Sequence, residues 1–351
     1  MNIAETSVIA EVRNHVGHLV LNRPTGLNTL TLPMIRELHS RLMDWANDPA
    51  VNAIVLGAVG DKAFCAGGDI RSLYDSHQSG DELHMTFFQE EYALDRLIHA
   101  YKKPVLALMD GFVLGGGMGL VQGASLRVIS ENARVGMPEV GIGYFPDVGG
   151  SYFLSRLSGE LGTYLGVTGI HIGAVDALYA GLADWCVPKE AFPELEQRLD
   201  ALLWSARPAE DLRKLVSELS VDITSESELR SLQPAIDLHF SQPTVAAIRE
   251  SLLAESLSPY RNWAEDTIRL MDTKSPLAMS VTLELLRRGR TLSLEACFAM
   301  ELHLDRQWFA KGDIMEGVRA LLVDKDKSPC WKIRMIDEVT PEQVAEFFTG
   351  L

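Results

Sequence analysis

The stretch Asp110–Gly119, DGFVLGGGMG, decides how this sequence is read. It follows an apolar strand-like run, VLALM, that begins after Lys103-Pro104, and it leads into a helix-like segment. Glycine has no Cβ, so its N–H can approach a ligand closely, and the first N–H groups of a helix have no partner within it. A second cluster, FCAGGDI at Phe64–Ile70, also stands straight after a strand-like run. Two such N–H groups aimed at one point form an oxyanion hole. Each cluster taken alone is equally well read as a tight turn. Neither fits the dinucleotide GxGxxG or the phosphate-binding GxxxxGK[ST] pattern, and no GxSxG elbow is present.

Around these clusters the chain alternates strand and helix patterns. SVIAEV, HVGHLVLN, AIVLGAV, VLALMDG and LRVIS read as strands, while Leu38, Leu42 and Trp45 recur at helical spacing. An α/β core from about residue 8 to 190 is expected. Beyond it, FPELEQRLDALLWSA, TVAAIRESLLAES and SPLAMSVTLELLRRG carry apolar residues three and four apart, with Pro188, Pro208, Pro243, Pro259 and Pro276 at helix starts or breaks. The sequence thus divides into a core over residues 1–190 and a mostly helical region over residues 191–351 that packs on it.

Of the 351 residues, 47% are hydrophobic and 23% charged, a composition that supports a sizeable buried core. A formal net charge of -16 argues against nucleic acid as a partner. No run of apolar residues is long enough to span a membrane. The start, MNIAETSVIAEV, has neither a signal-peptide nor a transit-peptide pattern, so a cytoplasmic location is expected. Cys65, Cys186, Cys297 and Cys330 are scattered without ligand spacing, and the histidines form no HxxxH or HExxH, so no metal site is expected. His15 and His18 read as strand residues in a polar setting.

The stretch Met137–Gly150, MPEVGIGYFPDVGG, sets Glu139 and Asp147 among apolar and turn-forming residues. In an apolar pocket either carboxyl would have a raised pKa and serve as acid or base near neutral pH. Turn-capping carboxylates are the plainer alternative. Glu91 follows Phe87 and Phe88 in a helical pattern, where a solvated helix face is the plainer alternative.

In their order and spacing, LNRPTGLNTL, FCAGGDI, DGFVLGGGMGL and MPEVGIGYFPDVGG together resemble the crotonase (enoyl-CoA hydratase/isomerase) superfamily. The resemblance implies a spiral of ββα units, with the carbonyl oxygen of a coenzyme A thioester held by two backbone N–H groups. Those donors fall on Gly68 and Gly116. Hydratases of the superfamily carry one glutamate two residues after the glycine triplet, where this sequence has Gly119, and a second at the position of Glu139. Asp147 stands where hydratases have a small residue. With AGGDIRSLY, FFQEEYALD around Glu90 and Glu91, and EGVRALLVDKDKSPCWK near the C-terminus, the pattern resembles the branch that hydrolyses 3-hydroxyacyl-CoA thioesters.

That resemblance implies hydrolysis of 3-hydroxyisobutyryl-CoA, and also of 3-hydroxypropionyl-CoA, to the free acid and coenzyme A, in valine breakdown. Glu139 would act at the carbonyl as nucleophile or as base for water, Asp147 would orient the hydroxyl or the water, and Glu91 would bind the polar end of the substrate. Arg23, Lys62 and Ala66 would meet coenzyme A. No cofactor is implied, since coenzyme A belongs to the substrate. Members often trimerise, which leaves a homo-oligomer open, although the added helices would cover those surfaces. Cys65 reads as a packing residue, and Asp69 as a residue that fixes its loop. Asp324–Lys327 is a charge run that the resemblance assigns to a closing C-terminal segment. A hydratase or isomerase is disfavoured by Gly119. A catalytically silent acyl-CoA-binding protein is disfavoured by the retained carboxylates.

Overall fold

Asn14 and His15 turn the chain with φ of 41° and 63°, the backbone a two-residue hairpin turn requires. The flanking residues pair antiparallel from Val8↔Leu21 to Arg13↔Val16. His15 therefore lies in the turn rather than in a strand, because its positive φ is incompatible with an extended chain. His18 is in the second strand and is buried. The computed structural model describes residues 6–222 and 226–351. The first residues of MNIAETSVIAEV, on which the expectation about a leader partly rests, lie outside the described residues, as do 223–225.

The strands are β1 (Val8–Arg13), β2 (Val16–Leu21), β3 (Ala53–Ala58), β4 (Ala63–Cys65), β5 (Val105–Met109), β6 (Phe112–Leu114), β7 (Leu126–Ile129), β8 (Arg134–Gly136), β9 (Ile172–Gly173) and β10 (Trp185–Cys186). The larger sheet has the order β1-β2-β3-β5-β7-β10 and the smaller β4-β6-β8-β9. The recurring unit is strand, strand, helix. In the pairs β3/β4, β5/β6 and β7/β8 the first strand joins the larger sheet and the second joins the smaller, while β9 and β10 take the reverse order; the three regular pairs are the ββα units expected from the sequence.

By packing, the chain forms two compact units that interleave along the sequence. The first comprises Met1–Asp69, Glu90–Val135 and Ile172–Ser227 and holds the sheets. In it β2, β3, β5, β7 and β10 run parallel. β3 and β5 are buried almost throughout, as continuous apolar strands covered on two faces must be. Val55, Leu106, Leu108 and Val128 pack with Leu195 and Leu199 of the helix Phe192–Asp200 and with Leu212 and Val216 of the helix Pro208–Leu219. Each such side chain contributes roughly 1.5–3 kcal/mol on burial, so the apolar faces of these helices hold them in place.

The second unit comprises Ile70–Gln89, Gly136–His171 and Glu228–Leu351. It is helical, and it includes the stretch with Glu139 and Asp147. At its centre the helix Pro276–Gly289 packs against the helix Leu161–Thr168, which is buried at every position. Ser275 caps the former, accepting from the Ala278 N–H at 3.0 Å while donating to Asp313 at 2.6 Å. After β10 only helices and turns follow among the described residues, so residue 190 marks a change in secondary structure, while packing divides the chain elsewhere.

Candidate active site

The two glycine clusters come together because they leave neighbouring parallel strands at the same end. β4 ends at Cys65 and runs into residues 66–69; β6, its parallel partner, ends at Leu114 and runs into the helix Gly116–Gln122. Leu30 fastens the first loop: its N–H donates to the Gly67 carbonyl and its carbonyl accepts from the Asp69 N–H, each at 2.8 Å. That parallel bridge turns the N–H of Gly68, the residue between them, to the opposite side. Gly116 is the first residue of its helix, so its N–H has no acceptor within it. A Cβ on Gly116 would stand 3.5 Å from the Gly68 nitrogen and would overlap Oε1 of Glu91. Only glycine fits there, and the first unit thus brings Gly68, Gly116 and the Glu91 carboxylate to one place.

Glu91 and its neighbour part ways on the helix Leu83–His99. Glu90 is paired at the surface with Arg36, 2.7 Å away. Glu91 is 2% exposed, which removes the solvated-face alternative. Arg23 is engaged within its own loop: Nη1 donates to the Thr29 carbonyl at 2.7 Å and Nη2 to Asp69 at 3.1 Å. Asp69 therefore fixes the loop through this ion pair. Ala66 donates its N–H to the Leu27 carbonyl at 3.1 Å. Lys62 is exposed beside a shallow pocket lined by Pro24, Thr25, Asn28 and Val59. Cys65 is fully buried, and burial pushes its thiol up to about 12, so it stays protonated and packs.

In the second unit, Glu139 opens a 3-10 turn, Glu139–Ile142, and its carbonyl accepts from the Tyr144 N–H at 3.0 Å. Its side chain is 7% exposed, and Oε2 has no hydrogen-bond partner among the described residues. Burial, with the charge of Asp147 adding to it, holds the Glu139 carboxyl well above the usual carboxylate range. Asp147 is itself buried. Between these two carboxyls in the chain, Tyr144 stacks on Phe145 at 4.4 Å, and Trp308 meets Phe145 edge-on at 5.1 Å. A carboxyl so placed can exchange a proton, or attack a carbon, near neutral pH.

Sequence reasoning missed the residues that hold this stretch. On the helix Leu294–Lys311, Glu301, Asp305 and Trp308 face inward at spacings of four and three. The Trp308 indole donates to the Gly143 carbonyl at 2.8 Å, Tyr144 donates its hydroxyl to Asp305, and Glu301 accepts from the Gly149 and Ser151 N–H groups at 2.8 and 2.9 Å. Acidic residues on an inward helical stripe were the available signal. The charge run at Asp324–Lys327 is also more than a solvated face, since Asp324 and Asp326 both pair with Arg319. Among the described residues no group of three or more His, Cys, Asp or Glu is placed to hold a metal ion, and no helix is long and apolar enough to cross a membrane.

The enoyl-CoA hydratase/isomerase family model matches residues 16–348. A Xenopus tropicalis protein named 3-hydroxyisobutyryl-CoA hydrolase, mitochondrial, is 39% identical over 95% of this chain and 86% of its own length. Two solved structures are also similar at 34% identity over 99% of this chain. One is a carnitinyl-CoA dehydratase from Mycobacterium thermoresistibile, with 97% of its chain covered and a TM-score of 0.90. The other is an enoyl-CoA hydratase from Rhodobacter sphaeroides, with 98% covered and a TM-score of 0.88. The expected cytoplasmic location is overturned by relatives named as mitochondrial, among them the Xenopus protein and one from Homo sapiens at 37% identity. The lack of a leader pattern in the first residues carries no weight against them. On the match of its sequence and of its fold, the chain belongs to the enoyl-CoA hydratase/isomerase family and has the crotonase fold.

Proposed function

We propose that this protein hydrolyses the thioester of 3-hydroxyisobutyryl-CoA, a step of valine breakdown, to the free hydroxy acid and coenzyme A. The observation that carries the reading is Glu139, a buried carboxyl with an unpartnered oxygen and a raised pKa in a stretch that also bears Asp147. The names of the relatives support it. So does Gly119, which leaves the helix Gly116–Gln122 without the first hydratase carboxylate.

In this reading the thioester oxygen accepts hydrogen bonds from the N–H groups of Gly68 and Gly116, and these strengthen as negative charge collects on it. Glu139 acts at the carbonyl carbon in one of two ways. As nucleophile, its oxygen bonds to the carbon, the C–S bond breaks, the coenzyme A thiolate leaves and takes a proton, and water then cleaves the mixed anhydride. As base, it removes a proton from water while the water oxygen forms the new C–O bond; the C–S bond then breaks, and the coenzyme A thiolate leaves and takes that proton. Hydroxylamine trapping separates the two, since only the anhydride route leaves a hydroxamate on the peptide bearing Glu139. Asp147 orients the substrate hydroxyl or the water, and Glu91, beside the glycine pair, binds the polar end. Lys62 meets the coenzyme A phosphates and Ala66 its body, whereas Arg23 serves its loop. No further cofactor takes part.

One pair of assays tests the reading. Incubation with 3-hydroxyisobutyryl-CoA should release free thiol, and incubation with crotonyl-CoA should leave the conjugated double bond intact. Loss of the double bond without thiol release would make the protein a hydratase. Neither change would make it a silent acyl-CoA binder.

A further inference from the structure

Asp147 is followed by two residues in the left-handed region, Val148 at φ 50° and Gly149 at φ 84°. A β-branched residue seldom adopts that conformation, so the chain leaving Asp147 keeps its shape only where its surroundings fix it. The Gly150 N–H closes the turn on the Asp147 carbonyl at 2.6 Å. The next two anchors both end on one side chain. Oε2 of Glu301 accepts from the Gly149 N–H at 2.8 Å, and Oε1 accepts from the Ser151 N–H at 2.9 Å and from the Ser151 hydroxyl at 2.5 Å. Glu301 is fully buried in the helix Leu294–Lys311.

We propose that Glu301 is a positioning residue for Asp147: its carboxyl locks residues 149–151 and so holds the Asp147 side chain in the orientation that the substrate hydroxyl or the water requires. The proposal rests on the reading of Asp147 given under the proposed function. What the carboxyl supplies is two oxygens in a fixed plane, each able to accept a backbone N–H even when the group carries a proton, with the Ser151 hydroxyl making the third hydrogen bond. An amide of the same shape turns one N–H donor toward another and keeps only part of the set.

A double-mutant cycle with Asp147→Asn, read by steady-state thiol release from 3-hydroxyisobutyryl-CoA, tests the link. Glu301→Gln should lower kcat about tenfold, and Glu301→Leu about 100-fold, as expected when a reacting group is displaced by about 1 Å. KM should stay within about twofold. In the Asp147→Asn background the same changes should cost less than about twofold further. Wild-type kcat in Glu301→Gln, or an equal loss in both backgrounds, overturns the proposal. If the Glu301 variants fail to fold, Ser151→Ala removes one donor and is judged by the same cycle. Amide hydrogen exchange over residues 147–151 gives a readout that needs no turnover, and it should quicken about tenfold in Glu301→Gln. Unchanged protection overturns the proposal, whereas a wild-type enzyme that releases no thiol while exchange does quicken refutes only the functional reading.

Discussion

Glu301 ties the stability of this protein to pH. Burial, with the charge of Asp147 adding, lifts its carboxyl from the usual 4.5 to about 8, against the hydrogen bonds from Ser151 and Gly149 that pull it down. The folded protein therefore holds a proton between those two values that the unfolded chain has released. Stability from this group is fully present below about pH 4.5 and is lost as the pH rises through about 8. Each tenfold in proton affinity is worth about 1.4 kcal/mol. Across pH 5 to 9 the loss thus comes to roughly 4 kcal/mol, a large part of the ordinary stability of a domain. Glu301→Gln cannot titrate. At pH 5 the variant should be less stable than wild type by about 1–3 kcal/mol, because it leaves one buried donor unmet. By pH 9 the difference between them should have moved in favour of the variant by roughly 4 kcal/mol, with every other titrating group cancelling. Urea unfolding of both proteins at pH 5, 7 and 9 measures it. A difference that stays constant within about 1 kcal/mol would refute the reasoning, since Glu301 would then titrate alike in both states.

Three further variants test the site. Glu139→Gln should lower kcat by about 10²–10⁴-fold, the usual loss for a removed acid or base, while calorimetry shows substrate still bound; full turnover would end the assignment. Asp147→Asn removes the second cause of the raised Glu139 pKa, so the acidic limb of the kcat/KM profile should shift to lower pH. The same variant should harm hydroxylated substrates more than plain acyl thioesters, and equal losses would assign Asp147 to water. Gly116→Ala places a methyl against Glu91 and into the glycine pair, so kcat should fall about 10²–10³-fold with far-UV circular dichroism unchanged; near-normal turnover would show that the thioester oxygen is held elsewhere.

The larger strands were legible because their apolar runs are long: β3 and β5 read directly from AIVLGA and VLALM. The short strands were not. β4 and β6 are three residues each and lie inside the glycine motifs, where no periodicity can build up. They are what places the two loops side by side. The helix expected over FPELEQRLDALLWSA stops at Asp200, and the apolar residues after it, Leu202 and Trp204, pack against the core from an irregular segment rather than from a helical face. His15 was misread because a left-handed turn between two strands leaves no mark in hydrophobic alternation.

By itself the sequence determined the class of fold and the candidate chemistry. Glycine triplets, a proline-glutamate turn and a run of apolar strands are local patterns, and local patterns survive in one dimension. It also named Gly68, Gly116, Glu91, Glu139 and Asp147. Tertiary structure alone decided that these carboxyls are buried, and with that the raised proton affinity of Glu139. Glu90 and Glu91 are neighbours in sequence, yet one meets solvent with Arg36 and the other is enclosed against Gly116. Glu301 is 154 residues from Asp147 in the chain and reaches its loop only through folding. Burial and long-range hydrogen bonds set the electrostatics of a site, and both belong to the packed chain rather than to the order of its residues.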